Sequence, residues 1–388
     1  MVASRDEMIR SMRRPSLLQR LTPGDWFWAA LVVVATAVTC TVLWDAMNRY
    51  EVVITLFTAG AMIGMGWHWH GGRLYMGLVC AVSLFAISRY PDLAAADSDF
   101  FLRYLLSSQS AIMWMSALFP AATLAYGAAL FTGNDFTARV ASRLTWIAAG
   151  AGLVGLLVRW HETHLFEGGI GYIPVSNLYE VFVLFAVVTA LLYLYYEGAY
   201  RTRQLGFFVL LIISASIGFL LWYHFDRQAY QIEPLVPALN SYWMKIHVPT
   251  NFIAYGAFAL AAMLGVAYLI RDRVSDDSVW AQRLPTLKQI DDISYRSIAL
   301  GFAFFTVATI LGALWAAEAW GAYWSWDPKE SWSLIVWLNY AGWLHLRYTK
   351  GLRGRFMAWW AIIGLLVTTF CFLGVNMFLS GLHSYGEL

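Results

Sequence analysis

Residues 26–46 read WFWAALVVVATAVTCTVLWDA, and this stretch decides the fold. No charged side chain interrupts it between Trp26 and Trp44. A helix rising 1.5 Å per residue crosses a hydrocarbon core with roughly 20 apolar residues, so the run is long enough to span a membrane. A lipid interior offers no water to peptide groups, and a single such span must be helical. Arg5, Arg10, Arg13, Arg14 and Arg20 precede it. Ala35-Thr36-Ala37 resembles a signal-cleavage site but lies inside the apolar run, so the reading is an uncleaved first span.

Outward from this run the same pattern recurs. Apolar segments follow at about 52–67, 73–89, 107–131, 140–158, 177–196, 205–223, 247–270, 296–315, 331–348 and 356–376. The expected fold is therefore all-α, a polytopic integral membrane protein of about eleven transmembrane helices, the second and third being short. Composition agrees: 60% of the 388 residues are hydrophobic and 13% charged, against about 25% charged in soluble domains. The chain divides into a basic segment 1–25, helices over 26–158, and a region 159–388 that carries a tryptophan-rich loop at 316–332. A net charge of +2 gives no reason to expect nucleic acid. Cys40, Cys80 and Cys371 sit in apolar runs without a C-x-x-C pair, which argues against disulfides and a cysteine metal site.

Lysine and arginine placement sets the expected orientation. With the N-terminus cytoplasmic, 19 of the 26 basic residues fall on inner segments and 7 on outer ones. Eleven spans then put the C-terminus outside. The outer segments become 159–176, 224–246, 316–330 and 377–388, and the inner connector 271–296 needs no chemistry beyond solvation.

One outer stretch, WGAYWSWDPKESW at 320–332, holds Trp320, Tyr323, Trp324, Trp326 and Trp332. Asp327, Pro328 and Glu330 make a capping box with proline at the first helical position, so capping is the main expected task of Asp327 and Glu330. Asn177 and Glu180, in PVSNLYE, form a second box of this kind. The tryptophans admit two readings: an interfacial aromatic belt, or a platform for a large planar ligand.

The histidines supply a second observation. His247, in SYWMKIH, and His383, in FLSGLHSYG, both fall on the face that carries the tryptophans. Two imidazoles on opposite sides of a porphyrin would fill the axial positions of haem iron. His345 lies 18 residues after Asp327, about 27 Å deeper along one helix, and an intramembrane histidine is a functional candidate. His161 and His164 are spaced i,i+3 rather than the i,i+4 of a zinc protease, which excludes that class. His68 and His70 fall in a short inner turn, and His224 begins an outer loop.

These strings carry a resemblance. W-G-x-x-W-x-W-D-P-K-E at 320–330, P-x-S-N-L-Y-E at 174–180, S-Y-W with His247, L-H-x-R around His345 and G-L-H-S-Y-G at 381–386 resemble the CcsA/ResC family of System II cytochrome c biogenesis. That family belongs to the tryptophan-rich (WWD) haem-handling proteins. The resemblance covers most of the chain from about residue 160. It implies that region 159–388 handles haem b as substrate, with Trp320, Tyr323, Trp324, Trp326, Asp327 and Trp332 as its outer platform. His247 and His383 are then the axial ligands, and His345 serves an intramembrane haem site. It further implies a ResB/Ccs1-type membrane partner, apocytochrome c bearing CxxCH, thiol-reducing proteins, and residence in a bacterial cytoplasmic (inner) membrane with the loop facing the periplasm or exterior. The implied activity is holocytochrome c synthesis in a two-protein complex. No residue of this chain acts as nucleophile, because the substrate's cysteine thiols do. Lys245, Lys329 and Arg159 are candidate propionate contacts. A b-type haem electron carrier would place paired histidines at matched depth on facing helices. A small-molecule transporter would show broken helices and inverted repeats, which are not evident.

Overall fold

The computed structural model describes residues 17–45, 47–166 and 171–382. All regular structure among them is helical. Eleven long helices run in chain order: α1 (Pro23–Val42), α2 (Arg49–His68), α3 (His70–Ser88), α4 (Ser108–Thr132), α5 (Asp135–Leu165), α6 (Leu178–Tyr200), α7 (Gly206–Arg227), α8 (Met244–Arg271), α9 (Leu287–Trp320), α10 (Pro328–Thr349) and α11 (Arg355–Thr369). Among the described residues ten helices are long and apolar enough to cross a membrane. The remaining helix, α10, is 22 residues long but carries Lys329, Glu330, Asn339, His345 and Arg347.

Local chemistry sets the helix starts. Thr22 and Asp25 cap α1 reciprocally with Pro23 first in the helix, Asn48 and Glu51 do the same for α2, and Asp327 and Glu330 for α10. Several elements outrun the sequence reading. The fifth helix continues past 158 to Leu165, because Arg159 and Glu162 find buried partners and need no solvent. The ninth begins at Leu287 behind a Thr286 cap and runs to Trp320. The outer loop expected at 316–330 therefore contracts to 321–327. The turn expected around His68 and His70 shrinks to Trp69 alone, between the end of α2 and the start of α3.

Two compact units divide the chain within α3, residues 1–78 and 79–388. In the first, the Trp28 indole donates to the Met62 carbonyl at 3.0 Å, and Trp67 donates to the Asp25 carbonyl at 3.1 Å. The Asp25 carboxylate accepts from Arg73 and lies 3.0 Å from His70 Nε2.

In the second unit α4 packs on α5, α5 on α6 and α6 on α7, while α8 packs against α6, α9 and α11. Lipid is as apolar as leucine, so helices associate through close packing rather than hydrophobic expulsion. The central helix α8 is built for that, burying Ala254, Ala257, Ala259, Ala261, Ala262 and Ala267. Phe258 of α8 stacks on Tyr340 of α10 with centroids 3.6 Å apart and rings 7° from parallel. Polar atoms are paired at depth: Glu162 accepts from Tyr90 at 2.5 Å, and Glu197 accepts from Tyr126 and Ser142, each at 2.5 Å.

The connections of this unit sort into two ends. At one end Arg159 donates to the Tyr230 and Gln231 carbonyls, Trp243 reaches Glu318, and Leu382 reaches Asp327. At the other Gln204 donates to the Gln282 carbonyl, Tyr200 bonds Asp292, and Arg347 pairs with Asp291. The first set joins segments that the count of basic residues assigns to one face, and the second set joins those of the opposite face.

Candidate functional site

The tryptophan loop begins where Gly321, at φ 78°, takes the left-handed conformation that ends α9. It ends at the capping box of α10. Glu330 Oε2 accepts the Asp327 amide at 3.2 Å and also the Ser325 amide at 2.7 Å, so one carboxylate fixes two turns of the loop. Between them Trp326 is held at φ 60°, a left-handed conformation unusual for a bulky residue. Tyr323 and Trp326 are 65% and 69% exposed, and Trp324 meets Trp326 edge-on at 5.8 Å. An aromatic surface is thus presented outward by a rigid backbone. Trp320 closes α9 and is half-buried. Trp332 turns away from the loop and packs on Phe370 at 4.3 Å, in the helix core rather than on the presented surface.

Beneath the loop lies a cavity of about 130 Å³, lined by His247, Asn251, Trp315, Tyr323, Trp324 and Lys329 among others. His247 stands in the first turn of α8. Its Nδ1 lies 2.9 Å from the Ala308 carbonyl of α9, and its Nε2 lies 2.9 Å from Asn251 Nδ2. A carbonyl only accepts, so Nδ1 carries the proton and Nε2 the lone pair. Gly312 makes this docking possible: a Cβ there would sit 2.8 Å from His247 Cε1. Trp315 flanks the imidazole edge-on at 5.7 Å, and its buried indole N–H has no hydrogen-bond partner among the described residues.

The chain's tail arrives at the same place. Leu382 donates its amide to Asp327 Oδ1 at 2.6 Å, the residue that caps α10 through its other oxygen. His383 is the next residue and lies outside the described residues. Lys329 donates to the Phe372 carbonyl at 2.9 Å and to Asn376 Oδ1 at 2.8 Å, which ties α10 to the chain after α11. Lys245 is half-buried on the first turn of α8.

Arg159 is not placed for a ligand. It is fully buried, with Nε 2.6 Å from Glu180 Oε1 and its other nitrogens on the Tyr230 and Gln231 carbonyls. Asn177 caps α6 as expected, accepting the Glu180 amide at 3.0 Å. The second half of that box is absent, because the Glu180 carboxylate serves Arg159 and the Ser176 amide instead. His345 is exposed on α10, remote from the cavity. His161 and His164 line a separate groove with Cys80, and His224 stacks on Tyr230 at 4.4 Å in another.

Sequence reading missed Glu318 and Asn251. Glu318 accepts from Tyr242 and from Trp243 Nε1, each at 2.8 Å, and so ties the SYW string to the end of α9. Its signal was an acid near the end of an otherwise apolar span. The signal of Asn251 was its i,i+4 spacing from His247.

Comparison with known proteins fits this arrangement. The cytochrome C assembly protein family matches residues 175–383, which contain the cavity, the loop and every segment that frames them. The chain belongs to that family. A cytochrome c biogenesis protein CcsA of Chlamydomonas reinhardtii is 40% identical over 60% of this chain and 64% of its own length. One from Parasynechococcus marenigrum (strain WH8102) is 38% identical over 60% of this chain and 81% of its own. One from Pyropia yezoensis is 33% identical over 71% and 92%. Among solved structures, the cytochrome c haem lyase CcmF superposes with a TM-score of 0.50 at 19% identity, covering 69% of this chain and 46% of that one, a likeness of fold. The protein is a multi-pass membrane member of a cytochrome c biogenesis family.

Proposed function

We propose that this chain holds haem at the tryptophan loop for covalent attachment to apocytochrome c. The observation that supports it most is the His247 imidazole, pinned by Ala308 with its Nε2 lone pair at a cavity walled by Tyr323 and Trp324. The residues suit a large, flat, apolar substrate. Exposed rings offer faces for stacking, a neutral imidazole offers one axial bond, and the Trp315 N–H has no partner among the described residues. His383 supplies the opposite axial bond.

The reaction adds the two thiols of a CxxCH segment across the two haem vinyl groups. In each addition a carbon–sulfur bond forms, the thiol hydrogen passes to the neighbouring vinyl carbon, and no electrons are gained or lost. This chain contributes position: a pair of histidine ligands and a stacked face would leave the vinyl edge to the incoming thiols. Lys245, on the first turn of α8, is the proposed propionate contact, whereas Lys329 is committed to the Phe372 carbonyl and Asn376. His345 belongs to an inner haem site completed by a ResB/Ccs1-type partner, for haem on its way across a bacterial cytoplasmic membrane, and the loop faces outward.

Absorption spectra of the purified full-length protein test the assignment. Wild type should carry low-spin ferric haem. His247→Ala and His383→Ala should each give high-spin or haem-free protein and stop cytochrome c maturation, while His161→Ala and His164→Ala should do neither. A wild-type spectrum from either member of the pair would overturn it.

A further inference from the structure

His247 has a neighbour whose placement the proposed reaction does not require. Asn251 stands one turn along α8 and directs its side-chain amide at the imidazole, with Nδ2 2.9 Å from Nε2. The Ala308 carbonyl fixes the proton on Nδ1, so the Asn251 N–H donates into the same lone pair that iron would use. An asparagine needed only for packing would not have to aim a donor at that atom.

We propose that Asn251 is a placeholder: in the resting protein its amide N–H occupies the coordination position on His247 Nε2, and it leaves when iron arrives. This rests on the axial role of His247 argued above. The placeholder keeps the imidazole neutral and correctly turned while the site is empty. It also competes with iron, so haem is held less firmly than the ligand pair alone would hold it. A competing state lowers apparent affinity by the fraction of protein it occupies. For a chain that must hand its haem on, weakened retention is useful. Asn251 is thus a positioning residue that sets how long haem stays.

Two measurements on the full-length protein separate this idea from the axial assignment. In haem-free protein, acylation of His247 by diethyl pyrocarbonate, followed on the His247 peptide by mass spectrometry, reports the availability of the Nε2 lone pair. In haem-loaded protein, transfer to excess apomyoglobin reports retention. Asn251→Leu keeps the volume and removes the donor. It should quicken acylation and slow haem transfer, each by roughly two- to tenfold, the worth of one hydrogen bond. Asn251→Ala should move both the same way, whereas Asn251→Thr, which keeps a donor, should stay near wild type. A merely structural asparagine would move transfer in the opposite direction, toward faster loss. Unchanged acylation in both donor-free variants would overturn the placeholder alone. Faster acylation with unchanged transfer, together with failure of added imidazole to restore a low-spin spectrum in His247→Gly, would overturn the axial role and the placeholder with it.

Discussion

Single residues here are held by partners on the neighbouring helix, and their substitution should cost accordingly. Arg159 and Glu180 are both fully buried and bonded to each other. Removing one partner leaves an uncompensated charge, so Arg159→Met should destabilise the folded protein by about 3–5 kcal/mol, while Arg159→Met with Glu180→Leu should recover much of that. Unfolding of the detergent-solubilised protein by sodium dodecyl sulfate measures both. Gly312 is the second such point. Its missing Cβ opens the Ala308 carbonyl to His247, and Gly312→Ala should push the imidazole away. The low-spin haem fraction should then fall several-fold with helical content unchanged by circular dichroism.

At the scale of elements, the loop 321–327 and the start of α10 behave as one piece. Asp327→Ala removes an N-cap worth about 1 kcal/mol and also the acceptor of the Leu382 amide. Hydrogen exchange at Leu382 should accelerate more than exchange within α10. Trp326 holds a left-handed backbone that costs a bulky residue of order 1–3 kcal/mol. Trp326→Gly should therefore leave stability unchanged or raised while haem retention falls, the combination expected of a residue kept for its ring. The sequence made the capping box of α10 legible, because Asp, Pro and Glu at fixed offsets have a local meaning. It misassigned the Glu180 carboxylate because a buried arginine on α5 outcompetes a backbone amide, and a rival 21 positions away leaves no local trace.

For the whole molecule, eleven helical segments were readable from apolar runs, and among the described residues ten of them are long and apolar enough to cross a membrane, α10 being the polar exception. The pairing of helices was not readable, because α8 meets α6, α9 and α11 through alanines that look alike in sequence. His247 and the tryptophans were legible as types at a shared face. Asn251 was not, because its importance lies in which atom it points at. Two expectations belong at this scale. Reporters after Leu388 and within 271–296 should mark opposite compartments, outer and cytoplasmic. His345 is exposed, so co-expression with a ResB/Ccs1-type protein should raise bound haem, and His345→Ala should abolish the gain.

The polarity of α10 has a consequence for how the chain is made. Asn339 accepts from Trp360, Trp343 donates to the Met357 carbonyl, and Arg347 pairs with Asp291, so several polar groups of this helix find their partners on α9 and α11. Emerging alone from the ribosome, it meets lipid before α11 exists to receive it. Its insertion must then wait for the following segment, and α10 and α11 should enter the bilayer together as a hairpin. The loop that presents the aromatic surface would thus reach its compartment only after synthesis has run about one helix further.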